Sequence, residues 1–299
     1  MRERKKLPPE PLFDLDCIHC AINQVINTTT IAGTPEPRRR ELMHKALRLL
    51  ADGDINRNNC IQIAEIYRMV CSEIGIEDPY RDTRLFFDRE LYALLPELRR
   101  HVWEREDPLR AAVRAAIAGN LIDLAANGHE VSLESVLEKI KYVDREGFYT
   151  DESDSLAEAL SGAKTLLVLG DNCGEIAMDR LLIETIRELY PQVSVQYGVR
   201  GYPSVNDVTR EDAEVVGMEE VAEVIDNGDN HLSTLLHRTS YAFNRAFYEA
   251  DVVIAKGMGN YEGLNTCNRG NIWFCLVAKC NTIARLTDSK KGAILCIER

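Results

Sequence analysis

No apolar stretch in this 299-residue chain approaches the ~20 residues a membrane span requires, and the basic residues within the first ten are followed by no hydrophobic signal core. Membrane insertion and export are not expected, and the chain reads as cytosolic. Positive charge is in deficit too: 36 Lys and Arg stand against 48 Asp and Glu, a formal net charge of −12. Nucleic acid and anionic membrane surfaces are repelled by such a balance, so neither is an expected partner, and any bound phosphate needs a local cation. A disulfide framework is also lacking, because nine cysteines is an odd number in a chain without an export signal. Cys17-Ile18-His19-Cys20 is a CxxC, half of a metal site or a redox pair, but no second CxxC follows it. Cys60 and Cys71 lie far downstream, and buried, small apolar cysteines are the preferred reading.

Strands are scarce at first. Nothing before residue 160 reads as one, whereas helical spacing recurs after an N-terminal arm carrying Pro8, Pro9 and Pro11. A helix opens after Pro35 and Pro37, with Leu42, Leu47, Leu49 and Leu50 as its apolar positions, and stops near Gly53. Further helices are expected over 61–74, 83–102 and 109–126, then a short one over 133–140. Within the fourth, Gly119, Asn120 and Asp123 stand where a plain core helix would carry Ala or Leu; Asn120 and Asp123 share one face. Two readings stay open there, a solvated helix end with Gly119 packed close to a neighbour, or the lining of a cleft. The acidic segment 151–154 reads as a linker, so an all-helical N-terminal domain over 1–155 and an α/β domain over 156–299 are expected.

From Lys164 the pattern alternates. The run Leu166-Leu167-Val168-Leu169 is too short for an isolated helix and suits a strand buried on both faces, as in a parallel sheet covered by helices. Strands are expected at 193–197, 221–225, 252–255, 272–277 and 293–297, with helices over 175–189 and 241–249 and one starting at Thr209. Mostly parallel pairing in an α/β/α three-layer arrangement follows.

Three loops after three of these strands carry complementary polar groups, and a parallel sheet brings all three to one edge. They hold Asp171, Asn172 and Glu175, then Arg200, Asn206 and Asp207, then Lys256, Gly257 and Asn260. Two carboxylates and an amide oxygen are hard donors, suited to a divalent ion such as Mg²⁺ or Mn²⁺. Such an ion can neutralise a phosphoryl group, while Lys256 and the free N–H groups at the start of the next helix hold its other oxygens. Each loop alone is commonly a mere turn.

At these residues the chain resembles the DUF89 proteins, also called damage-control phosphatases or the acidic-residue-methyltransferase-like family. Over nearly the whole chain the resemblance is carried by Gly170-Asp171-Asn172-Cys173-Gly174-Glu175 with Asp179-Arg180 and Glu184, by Arg200 to Thr209 with Glu211-Asp212-Ala213, and by Lys256-Gly257-Met258-Gly259-Asn260-Tyr261-Glu262. Asp16-Cys17-Ile18-His19-Cys20, Asp78-Pro79-Tyr80, and Ala118-Gly119-Asn120 with Asp123 are similar to its smaller, CxxC-bearing prokaryotic branch. Arg180, where a lysine is frequent, and Leu85-Phe86-Phe87 depart from the family pattern. The resemblance implies a helical region packed on an α/β/α domain and a phosphatase dependent on a divalent metal (Mn²⁺, Mg²⁺, Co²⁺ or Ni²⁺). Its substrates would be small phosphate esters such as sugar phosphates or damaged cofactor intermediates.

On this resemblance the metal ligands fall on Asp171, Asn172 and Asp207. Lys256 matches a phosphate-contacting lysine, with Asn120, Asp123, Arg200, Gly257 and Asn260 facing substrate. Asp171, Glu175 and Asn206 are the catalytic candidates. Asp171 either attacks phosphorus or orients a water, with Glu175 or Asp207 as base, and both routes stay open. Homodimerisation stays open as well. A rival reading is a nucleotide-fold methyltransferase, but the glycine spacing after the first strand is wrong and the second strand leads to Arg200 rather than to an acidic ribose contact. A non-enzymatic metal-storage or redox role for the CxxC ranks third.

Overall fold

The computed structural model describes residues 13–54, 56–121 and 133–299, so Asp123 lies outside the described residues. Among them, seven strands form one sheet: β1 (Thr150–Asp151), β2 (Thr165–Leu169), β3 (Ser194–Val199), β4 (Glu223–Asp226), β5 (Val252–Lys256), β6 (Ile272–Val277) and β7 (Ile294–Glu298). Their order is β1-β7-β6-β5-β2-β3-β4, and only β6 and β7 pair antiparallel. All six strands expected from the sequence are there. The apolar run in β2 is buried on both faces: Leu166 and Val168 join one core with Ile176 and Leu181, and Leu167 and Leu169 another with Phe243 and Phe274.

Strand β2 pairs with β3 on one side and β5 on the other, because the chain leaves β2 for β3 and β4 and then returns past it. This reversal is a topological switch point, and the crevice beyond the strands' carboxyl ends there is where open parallel sheets bind ligands.

Helices α1 (Leu15–Ile31), α2 (Glu36–Asp52) and α3 (Asn59–Ile74) share a small core of Ala21, Val25, Leu42, Ala46, Ile63, Ile66 and Val70. The CxxC therefore lies on a helix rather than on an arm. Asp14 caps α1, and Thr29 and Thr30 near its end return their hydroxyls to the carbonyls of Val25 and Ile26, which keeps these poor helix formers satisfied. On α2 the buried positions are Leu42 and Ala46; Leu47 and Leu49 face solvent.

The helix expected over 83–102 is two helices, α4 (Arg81–Ala93) and α5 (Leu95–Trp103), since Pro96 lacks the N–H that would continue α4 and sits instead in a first turn. Helix α6 (Pro108–Gly119) ends on Asn120, and α7 (Leu133–Glu146) runs beyond the expected stop at 140. The segment 151–154 is no linker. It completes β1, which pairs with β7, and opens α8 (Ser153–Gly162), where Asp151 accepts hydrogen bonds from the Ser153 N–H and hydroxyl. The boundary drawn near 155 thus falls within α8, and one buried cluster runs from Leu91 to Cys296 across it. Helices α9 (Glu175–Leu189), α10 (Arg210–Val215), α11 (Tyr241–Glu249), α12 (Gly257–Leu264) and α13 (Asn281–Leu286) complete the layers. Among the described residues no helix is long and apolar enough to cross a membrane.

Candidate active site

Two of the three loops are joined to each other at the switch point. Asn172 and Asp207 form an antiparallel bridge, the Val208 N–H donates to the Asp171 carbonyl at 3.0 Å, and the Cys173 N–H donates to the Asn206 carbonyl at 2.9 Å. The third loop closes on the same point. Gly257 begins α12 with φ +74°, and a Cβ there would fall 1.7 Å from Asp171 Oδ2, so the carboxylate lies directly against the glycine. Only glycine combines that backbone with that approach.

Among the described residues, both hydrogen bonds to the Asp171 carboxylate fall on Oδ2, from Asn120 Nδ2 at 2.9 Å and Asn172 Nδ2 at 2.7 Å. The same two amides reach Glu175 Oε2, at 2.8 and 3.3 Å. Asn120 is not at a solvated helix end: it is buried, its Oδ1 has no hydrogen-bond partner among the described residues, and Gly119 before it packs closely against Glu175 and Met178. Arg200 donates from Nε to Asp207 at 2.6 Å and from Nη1 to Thr234 Oγ1 at 3.0 Å. Asn260 donates to the Lys256 carbonyl at 2.7 Å and the Gly170 carbonyl at 3.0 Å, and its Oδ1 accepts from Thr234 at 2.8 Å. Arg200 and Asn260 are buried and brace the loops. Asn206 is half-buried beside Asp207.

Lys256 differs from its sequence-based role. Its ammonium is fully buried and donates to the Ala116 carbonyl at 3.0 Å, Glu175 Oε1 at 2.6 Å and Asp179 Oδ1 at 2.5 Å, which commits all three protons. Tyr197 donates to the other Asp179 oxygen at 2.8 Å. Lys256 is thus the counter-charge of two buried carboxylates, and reaching a phosphate would require it to give one of them up. The role of Asp179 emerges only from the structure; its one sequence signal is its position one turn beyond Glu175 on the same helix face.

Burial, then the charges of Glu175 and Asp207, push Asp171 well above the usual carboxylate range, with Lys279 and Arg200 pulling the other way. Burial raises Asp207 against the opposing pull of Arg200. Asp179 is raised to about 6 by burial, against Lys256. Burial opposes the charge of Lys256, but Asp179 and Glu175 outweigh it and hold its pKa above the ordinary lysine value. Lys279, at the end of β6, was missed altogether, though it too is a polar residue just past an apolar run. It is exposed, close enough to influence Asp171, and forms no ion pair among the described residues.

Among the described residues no three His, Cys, Asp or Glu side chains converge as a metal cluster. A cation between Asp171 and Asp207 therefore needs the amide oxygen of Asn172. The setting suits a hard divalent ion, which would relieve the burial and repulsion that raise both carboxylates and offer the unpartnered Asn120 oxygen a charged neighbour. Partial burial raises both CxxC thiols, Cys20 to about 11 although it is surface-exposed, which disfavours the reactive thiolate, and all nine cysteines are free. Nor is the first loop an open nucleotide cradle, because the Gly174 N–H at the head of α9 is already taken by Asp88.

Residues 14–295 match the family described as the damage-control phosphatase ARMT1-like domain. The chain belongs to that family. A damage-control phosphatase of Pyrococcus horikoshii is 33% identical over 288 residues, covering 94% of this chain and 96% of its own length. A damage-control phosphatase of Archaeoglobus fulgidus is 30% identical over 271 residues, with 90% and 93% covered. The crystal structure of a DUF89 family protein from Pyrococcus horikoshii superposes with a TM-score of 0.86 at 31% identity, over 95% of this chain and 98% of that one. For this damage-control phosphatase family member, the mixed fold and the membership expected from its motifs both hold.

Proposed function

We infer that this protein is a metal-dependent phosphatase that hydrolyses phosphate monoesters of small metabolites, with sugar phosphates or damaged cofactor intermediates as the substrate class. The family and its named relatives support the reaction. The observation that carries the site is the Asn172–Asp207 bridge, which sets Asp171 and Asp207 on adjoining backbone at the switch point. Asp171, Asn172 and Asp207 would hold the divalent ion, which supplies charge neutralisation at the phosphoryl oxygens and a Lewis-acid contribution.

The chain's own groups do the rest. Asp171 is the carboxylate at which reaction centres, oriented by Asn120 and Asn172 on one oxygen. Glu175 stands beside it, fixed by Lys256, and is the neighbouring acid–base group. Arg200 aims Asp207, Gly257 admits the Asp171 carboxylate, and Asn206, half-buried beside Asp207, is the further catalytic candidate. Lys279 brings a free positive charge to the rim, where phosphate must approach a chain of net charge −12.

Screening phosphate esters with Mn²⁺, Co²⁺, Ni²⁺ and Mg²⁺ tests the reaction. Chelation is expected to lower turnover at least about 100-fold and one of these ions to restore it; full turnover in chelator would reject metal dependence. Lys279→Ala is expected to raise KM about tenfold while changing kcat less than about threefold, as for a lost charge-assisted phosphate contact. An unchanged KM removes Lys279 from the site.

A further inference from the structure

A pair of buried carboxyl groups lies between the two loops proposed to bind metal. Helix α4 presents Arg84 and Asp88 one turn apart, both fully buried. Asp88 Oδ1 accepts the Gly174 N–H at 2.5 Å, two residues after Asn172. Arg84 Nε donates to Asp212 Oδ1 at 3.0 Å, while Asp212 Oδ2 accepts the Thr209 N–H at 2.7 Å and hydroxyl at 2.6 Å, two residues after Asp207. One helix thus grips the loop after β2 with Asp88 and the loop after β3 through Arg84 and Asp212.

The Oδ2 atom of Asp88 is buried without a donor among the described residues, and the neighbouring carboxyl group that raises Asp88 is that of Asp212, held by Arg84 one turn earlier on α4. Two buried carboxyl groups in contact are stable when one carries a proton that it gives to the other. The surroundings favour that state: burial, then Asp212, push Asp88 up to about 9, while the Gly174 N–H and Arg84 pull it down. Arg84 is largely spent on Asp212 and on Asp78, at 2.8 Å. The other titratable groups that sense Asp88 are Cys173, ahead of α9, and Tyr197, on β3, and both prefer to be neutral there.

We propose that protonated Asp88, hydrogen-bonded to Asp212 and to the Gly174 N–H, is a positioning residue that latches the two ligand-bearing loops together and sets the separation of Asp171 from Asp207. Its bearing on metal binding rests on the function proposed above, but the latch itself does not.

The test compares the full chain with Asp88→Asn and Asp88→Ala by hydrogen exchange of segments 170–177 and 206–213, with thermal unfolding as a control for global stability. An amide at 88 keeps the acceptor for Gly174 and offers Asp212 a donor; alanine does neither. Asp88→Ala is expected to speed exchange at least about tenfold in both segments, and Asp88→Asn to leave it within about threefold of wild type. Protection kept in Asp88→Ala, or lost equally in both variants, overturns the latch.

A second readout serves even if the alanine variant does not fold. The folded chain binds the Asp88 proton more tightly than the unfolded chain, so wild-type stability relative to Asp88→Asn must fall as pH rises from 5 and level off above about 9. A difference that is flat over that range overturns the shared proton. Mn²⁺ titration separates the two ideas: with the latch intact, a wild-type chain that binds no Mn²⁺ refutes the metal reading alone. If wild type binds, Asp88→Ala should weaken binding about tenfold.

Discussion

Asp171→Asn is expected to lower kcat/KM on a phosphate ester by on the order of 100- to 1000-fold while leaving the melting temperature unchanged or higher. The carboxylate receives donors from Asn120 and Asn172 on one oxygen, and an amide nitrogen turned toward them would face two donors with a third. An amide also removes one of the two charges proposed to hold the cation. The stability side has the opposite sign. Burial and the neighbouring Glu175 and Asp207 make ionised Asp171 costly in the absence of metal, so its neutralisation relieves repulsion rather than breaking an ion pair. Kinetics, Mn²⁺ calorimetry and thermal unfolding on one preparation check all three consequences. Wild-type turnover would remove Asp171 from the chemistry.

Lys256→Met is expected to be the most destabilising single change at the site. It keeps most of the side-chain volume but leaves Glu175 and Asp179, both buried, without their shared ammonium. Removing one partner of a buried ion pair costs about 3–5 kcal/mol, which in a chain of this size lowers the melting temperature by on the order of 10 °C. The pH dependence identifies the cause. Asp179 is raised to about 6 even with Lys256 present, and without that ammonium it takes up its proton at still higher pH. The deficit must therefore shrink as pH falls from 8 towards 6, because a protonated Asp179 needs no counter-ion. A variant of wild-type stability whose only defect is a higher KM would return Lys256 to the role of phosphate ligand.

Particular residues show why some of this was readable in advance. Leu166-Leu167-Val168-Leu169 announced a strand because burial on both faces requires an unbroken apolar run, and Asp171 could be assigned to the ligand-binding rim because it follows that run directly. Helix α9 matched its expected span, 175–189, in an amphipathic pattern ending ahead of Pro191. By contrast, β1 is two residues long and has no periodicity to recognise, and α8 was hidden by acidic residues that resemble a linker. The α4–α5 break was also missed, although Pro96 marks it.

The side-chain partnerships behave differently again. Asp88 and Gly174 are 86 positions apart, Lys256 and Asp179 are 77 apart, and nothing local to either residue names its partner. Lys279 likewise acquires a bearing on Asp171 only when β6 is packed beside β5.

Most of the α/β elements, their alternation and the rim carrying the polar loops follow from the sequence alone, because a parallel sheet buried on both faces imposes apolar runs and puts the parallel strands' carboxyl ends on one edge. The tertiary structure alone decided which polar groups spend their charge on one another and which remain open to a ligand. That choice depends on burial and on distances of about 3 Å between residues far apart in the chain, where a carboxylate taken out of water must find a proton or a cation.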